Sequence, residues 1–204
     1  MSKEAERLQR ALALFDAANG EDPNREIDQG AEHPKELLYA MRMSQMLARF
    51  APDASEAVQL AVRAQHIQRW KIPRRDFPKT PQGYQLWRTT LYRYHADTAG
   101  ELMRQAGYEE DMIERVKKIV GKRGLKVNPE TQLMEDVVDL VFLENYLTAF
   151  VAQHPEYDEA KWIDILQKTW KKMSSAGHEA ALAKIKLPEH LVPVILKAVG
   201  GAGR

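Results

Sequence analysis

Cysteine is absent from this 204-residue chain. Disulfides, thiolate nucleophiles and Cys-based zinc sites are therefore excluded, and any metal would have to be held by His, Asp or Glu. An excess of charge of one sign is missing too: 30 Lys and Arg stand against 29 Asp and Glu, for a formal net charge of +1. Anion binding can then come only from local clustering, since the global balance supplies none. No uninterrupted apolar run reaches membrane-spanning length, and the opening residues Met1-Ser2-Lys3-Glu4-Ala5-Glu6 contain no apolar signal core. The expectation is a cytoplasmic protein with no membrane partner. Strand-like alternation and internal repeats are also lacking.

What the chain does contain is 44% apolar and 29% charged residues, a mixture that can bury a core. The length suits one domain. The expectation is a single all-helical domain over residues 1–199, with a flexible tail over 200–204, Gly200-Gly201-Ala202-Gly203-Arg204.

Helical spacing recurs along nearly all of it. Ser2 can cap a helix running to Ala18, stopped by Asn19-Gly20. The polar residues 21–32 read as a long loop. Pro34 opens a second helix that ends near Phe50, and Asp53 with Glu56 has the capping-box spacing for a third, whose body Ala57-Val58-Gln59-Leu60-Ala61-Val62 should be largely buried. Pro73, Pro78 and Pro81 forbid a continuous helix between Trp70 and Gln82. Helices over 83–105 and around Met112–Val120 follow. The most apolar stretch, Leu133 to Val151, reads as one central helix. Asp158 caps the next, and shorter helices interrupted at Pro188 close the pattern: an all-α, multi-helix bundle.

Three features stand out against that background. Glu135, Asp136 and Asp139 lie within the most apolar helix, where an ionised carboxylate requires a partner. The partner is either a cation in a structural ion pair or a metal. His66 ends the apolar third helix, and His95 shares a stripe with Leu91 and Leu102. Each alone reads as an ordinary core histidine. Together with the carboxylates they form a candidate hard-ligand set for Zn, Mn, Fe or Mg. The third feature is basic: Arg69, Lys71, Arg74, Arg75, Lys79, Arg88 and Arg93 face one acid, Asp76, with Trp70, Phe77, Tyr84, Trp87, Tyr92 and Tyr94 interleaved. Guanidinium forks bind phosphate and rings stack on bases, so a phosphate-bearing small molecule or RNA is a candidate partner; the plain alternative is solvated arginines padding a proline-rich loop. Lys117, Lys118, Lys122, Arg123 and Lys126 form a second basic cluster.

Several strings resemble the family called domain of unknown function 4202. They are Glu36-Leu37-Leu38-Tyr39-Ala40, Gln65-His66-Ile67-Gln68-Arg69-Trp70-Lys71-Ile72-Pro73-Arg74, Gly83-Tyr84-Gln85-Leu86-Trp87-Arg88, Glu135 to Glu144 and Lys168 to Ser174. The family carries no established activity. The order of elements also resembles the HD superfamily of helical metal phosphohydrolases, which place a His on one helix, a His-Asp pair at the end of the next and an Asp on a later one. Here the pair's histidine is His66, and Ile67 stands where the aspartate would be. The first histidine falls near Glu36 or His33, and Asp136 or Asp139 supplies the last carboxylate.

That second resemblance implies an HD-like fold and a metal-dependent phosphohydrolase acting on a nucleotide or other phosphate ester. His66 and Asp136 would hold the ion, with Glu36, His95 and Asp139 as further ligands. Arg69, Arg74 and Arg88 would bind substrate, with Trp70 and Trp87 beside it. A nucleotide- or RNA-binding module without catalysis, and a helical interaction protein, are the alternatives.

Overall fold

The computed structural model describes residues 2–200, and among them it has ten α-helices and one two-stranded hairpin. The chain is all-α. Two compact units divide it, Met1–Met134 and Glu135–Arg204. Gly200 ends the last helix, so the tail expected over 200–204 otherwise lies outside the described residues.

In the first unit, α1 (Lys3–Gly20) starts where the sequence places it, with the Ser2 hydroxyl accepting the Ala5 N–H at 3.2 Å. A correction follows. Residues 21–32 are not a plain loop: β1 (Arg25–Asp28) pairs antiparallel with β2 (Ala31–Pro34), in register from Arg25↔Pro34 to Asp28↔Ala31. Gln29 and Gly30 both have positive φ, +49° and +82°, as a tight two-residue hairpin turn requires. The strands escape sequence inspection because neither face is apolar. Arg42 pins them instead, reaching Glu26 at 2.5 Å and Asp28 at 2.8 Å.

Arg42 lies on α2 (Lys35–Phe50), whose N-cap Pro34 offers no side-chain bond. Asp22 supplies it from the preceding loop: its Oδ2 accepts the Glu36 N–H at 3.0 Å. The cap of α3 (Glu56–Ala64) also differs from expectation. Ser55 rather than Asp53 accepts a first-turn N–H, that of Val58 at 3.4 Å. Ala57, Val58, Leu60, Ala61, Val62 and Ala64 are all buried, and α3 packs against α1, α2, α4 (Pro81–Gln105) and α5 (Glu110–Val120). Its small residues let four helices approach it, which makes α3 the centre of this unit.

Thr80 caps α4, and Pro81 fills its first turn, so the helix begins two residues before Gly83. A Cβ at Gly83 would sit 2.2 Å from the Pro78 carbonyl oxygen, which is backbone held by Arg74. Gly83→Ala should therefore lower stability by about 2 kcal/mol despite the better helix propensity of alanine, through forced displacement of the 73–80 segment. A chemical-denaturation curve matching that of the parent protein would contradict this.

Asn128 opens α6 (Pro129–Val141) by accepting from the Glu130 and Thr131 N–H groups. The boundary between units falls inside α6. In the second unit the expected long helix is broken in register: Phe142–Tyr146 forms a π turn, in which the Leu147 N–H bonds the Phe142 carbonyl five residues back, before α7 (Leu147–Ala152) resumes. The extra residue leaves Leu143 and Leu147 both buried. Asp158 caps α8 (Glu159–Lys172), accepting the Lys161 N–H at 2.8 Å. Leu166, Thr169 and Met173 point inward as read from the sequence, and α8 packs on α10 (Val192–Gly200). Ser174 caps α9 (Ser175–Ala183). No helix is long and apolar enough to cross a membrane, among the described residues.

Candidate functional site

Three of the residues singled out in the sequence come together in the first unit. Glu36 stands in the first turn of α2, His66 in the turn after α3, and His95 in the middle of α4. The His66 Nδ1 lies 3.4 Å from a Glu36 carboxyl oxygen, and the two imidazole centroids are 5.9 Å apart. Tyr39, one turn along α2 from Glu36, stacks on His66 at 4.2 Å and donates its hydroxyl to buried Gln65.

The turn carrying His66 is held from three sides. The Ile67 carbonyl faces His95 Nδ1 at 2.8 Å, the Gln68 N–H is accepted by the Asn19 side chain at 2.9 Å, and the Gln68 side chain accepts from the Tyr94 hydroxyl at 3.1 Å. Gln68 itself has φ +51°, a left-handed conformation that costs a non-glycine residue energy and persists only where surrounding contacts over-determine it.

These contacts assign the tautomers. A carbonyl only accepts, so His95 carries its proton on Nδ1 and bares a lone pair on Nε2. That Nε2 is buried and has no hydrogen-bond partner. On His66 the Arg69 guanidinium lies 3.2 Å from Nε2, so Nε2 accepts and Nδ1 presents its proton toward Glu36.

Burial, reinforced by Arg69, Lys122, Arg88 and Lys35, holds the His66 pKa well below its ordinary value, and burial with His66 beside it does the same to His95. Both rings are neutral near pH 7. Burial raises the Glu36 pKa to about 7, with Arg69 pulling it down and Asp22 pushing it up. The result is a largely buried cluster of two neutral imidazoles and a half-ionised carboxyl under a positive field.

Of the other predicted substrate contacts, Arg69 lies over the Trp87 ring at 4.8 Å, and Arg88 lies over Tyr92 at 5.4 Å and donates to its hydroxyl. Arg74 spends its fork on the carbonyls of Phe77 and Pro78, at 2.9 and 2.8 Å, so it braces the loop. Trp87 is buried and donates to the Ile72 carbonyl, while Trp70 is half-buried. His33 sits half-buried on β2.

Asp136 and Asp139 belong to the second unit. There Lys172 Nζ reaches Glu135 at 2.8 Å and Asp139 at 2.7 Å, while Asp136 accepts from the Ser174 N–H at 2.7 Å and its hydroxyl at 2.6 Å. Lys172, Asp22, Asn19, Tyr39 and Gln68 are not among the site residues expected from the sequence. Only Asp22, in Asp22-Pro23-Asn24, carried a local turn signal. No group of three or more His, Asp or Glu side chains among the described residues is arranged to hold a metal ion.

No curated protein and no solved structure matches the chain. Residues 9–195 match the family described as Domain of unknown function (DUF4202), and the chain belongs to that family.

Proposed function

We propose that the first unit binds a phosphate-bearing small molecule at Glu36, His66 and His95 and hydrolyses its phosphate ester. The observation that carries this reading is a surplus of cations around imidazoles that stay neutral. Arg69 stands 3.2 Å from His66, and Arg88, Lys122 and Lys35 also bear on it, while Asp22 bears on a Glu36 that is itself half-protonated. A phosphoryl group answers that imbalance, with Arg69 and Arg88 as its charge-assisted donors.

Acid–base chemistry then falls to Glu36. Water would add its oxygen to phosphorus as the ester P–O bond breaks. Ionised Glu36 takes a proton from that water, and the protonated form returns one to the departing oxygen. A group titrating near 7 offers both forms at neutral pH.

A second reading adds a divalent ion, Zn, Mn, Fe or Mg. The bare, buried Nε2 of His95 favours it, since an imidazole lone pair without a partner suits a metal. His66 and Glu36 would be its companions, and the ion would polarise a phosphoryl oxygen. As arranged, the fit is poor: Arg69 occupies the His66 lone pair and would have to swing away. Within the second unit, Asp136 is engaged by Ser174 and Asp139 by Lys172.

Titration with inorganic phosphate, following the imidazole resonances of His66 and His95, tests the binding. Saturable shifts of both are expected, with Arg69→Ala weakening phosphate about tenfold or more. Rings that do not respond to phosphate would remove the reading. Shifts that need added divalent metal would favour the second reading over the first.

A further inference from the structure

Cations and rings alternate without a gap outward from His66. Arg69 touches His66 and lies over Trp87 at 4.8 Å; Trp87 lies beside Tyr84 at 5.8 Å; Arg74 and Arg88 flank Tyr84 at 5.9 and 5.8 Å; Arg88 and Lys122 flank Tyr92 at 5.4 and 5.6 Å. The members differ in what they still offer. Arg74 is committed to backbone carbonyls, and Trp87 is buried with its indole N–H donated to Ile72. Tyr84 is different: it is 45% exposed, and it stands two ring contacts from the guanidinium that meets His66.

We infer that the phosphate-bearing ligand is a mononucleotide, its phosphate at Arg69 and His66 and its base stacked at Tyr84. This rests on the phosphate-binding reading above and adds the chemical class of the rest of the ligand. A simple phosphate would need the cations but not the rings. The alternation puts an aromatic face beside each charge, and a base has a π-face whatever its identity. One exposed ring rather than a row of them points to one base, so a mononucleotide is favoured over a nucleic-acid strand. A guanidinium stacked on a ring keeps its N–H edge free for phosphate oxygens, which lets Arg69 and Arg88 act in both ways.

The test compares adenosine 5′-monophosphate, ribose 5-phosphate and a single-stranded oligoadenylate on the whole protein by calorimetry. Adenosine 5′-monophosphate should bind at least about tenfold more tightly than ribose 5-phosphate, the worth of one stacked base. Tyr84→Ala should erase that difference between the two ligands. Tyr84→Phe should keep the difference, because the ring and not the hydroxyl is at issue.

Equal binding of the two small ligands by the parent protein overturns the nucleotide while leaving phosphate binding intact. No binding of either overturns both. Oligoadenylate binding far more tightly than the mononucleotide, with affinity falling steeply as salt rises, replaces the mononucleotide with a strand.

Discussion

Glu36→Gln is expected to exceed the parent protein in stability by about 3 kcal/mol at about pH 8, and to match it below about pH 4. Burial raises the Glu36 pKa from 4.5 to about 7. Between those two values the folded state holds a proton that the unfolded chain has released. Stability contributed by this group is therefore present in acid and is lost as pH rises through that window; above about 7 the loss is complete, at roughly 1.4 kcal/mol per unit of displacement. Glutamine keeps the shape of the protonated acid and carries no charge to bury.

His66 and His95 act with the opposite sign. Their pKa values are depressed in the fold, so their stabilisation is present above about 6.5 and is lost as the solution is acidified below it. Both proteins contain both rings, so the difference between their urea curves, measured across the range, isolates Glu36. A glutamine variant less stable than the parent at high pH would mean that Glu36 is held as a satisfied carboxylate, and its acid–base role would fall with it. The expected outcome has a functional side. A carboxyl kept where it weakens the fold at neutral pH is what the proposed acid–base role requires.

Lys172→Met should have a similar magnitude and the opposite direction, lowering stability by about 3 kcal/mol. Glu135 and Asp139 are almost wholly buried on α6, and Lys172 Nζ reaches both. Burial works against the Lys172 charge, yet Asp139 and Glu135 together outweigh it and its pKa stands above the usual value. Methionine is close in length and removes only the ammonium, which leaves two buried carboxylates facing a neutral chain end. Adding Glu135→Gln and Asp139→Asn should recover at least half of the loss, because the desolvated charges go with the lysine. A single variant that unfolds at the parent's denaturant midpoint would show that Lys172 does not carry the neutralisation. Phosphate titration of His66 and His95 in this variant should be unchanged.

Much of the helical frame was legible along the chain, and the reason is local. Ser2 and Asp158 cap helices where a side-chain oxygen precedes an amphipathic run. The hairpin over 25–34 was not legible, since Arg25-Glu26-Ile27-Asp28 has no apolar face and is fastened by Arg42 from another element. The capping of α3 by Ser55 instead of Asp53, and the π turn at 142–146, are choices between neighbouring residues that differ too little locally to decide.

Composition and spacing alone determined that this chain buries helices, holds no thiol chemistry and sets ionisable groups at His66, His95, Glu135, Asp136 and Asp139 against apolar surroundings. Helix periodicity and charge in an apolar run are properties of a few neighbouring residues, so a sequence displays them. Which partner each ionisable group finds was decided only in three dimensions. Glu36 and His66 lie thirty positions apart and meet, as do Lys172 and Asp139, because a chain returning on itself sets distances that no spacing along it records.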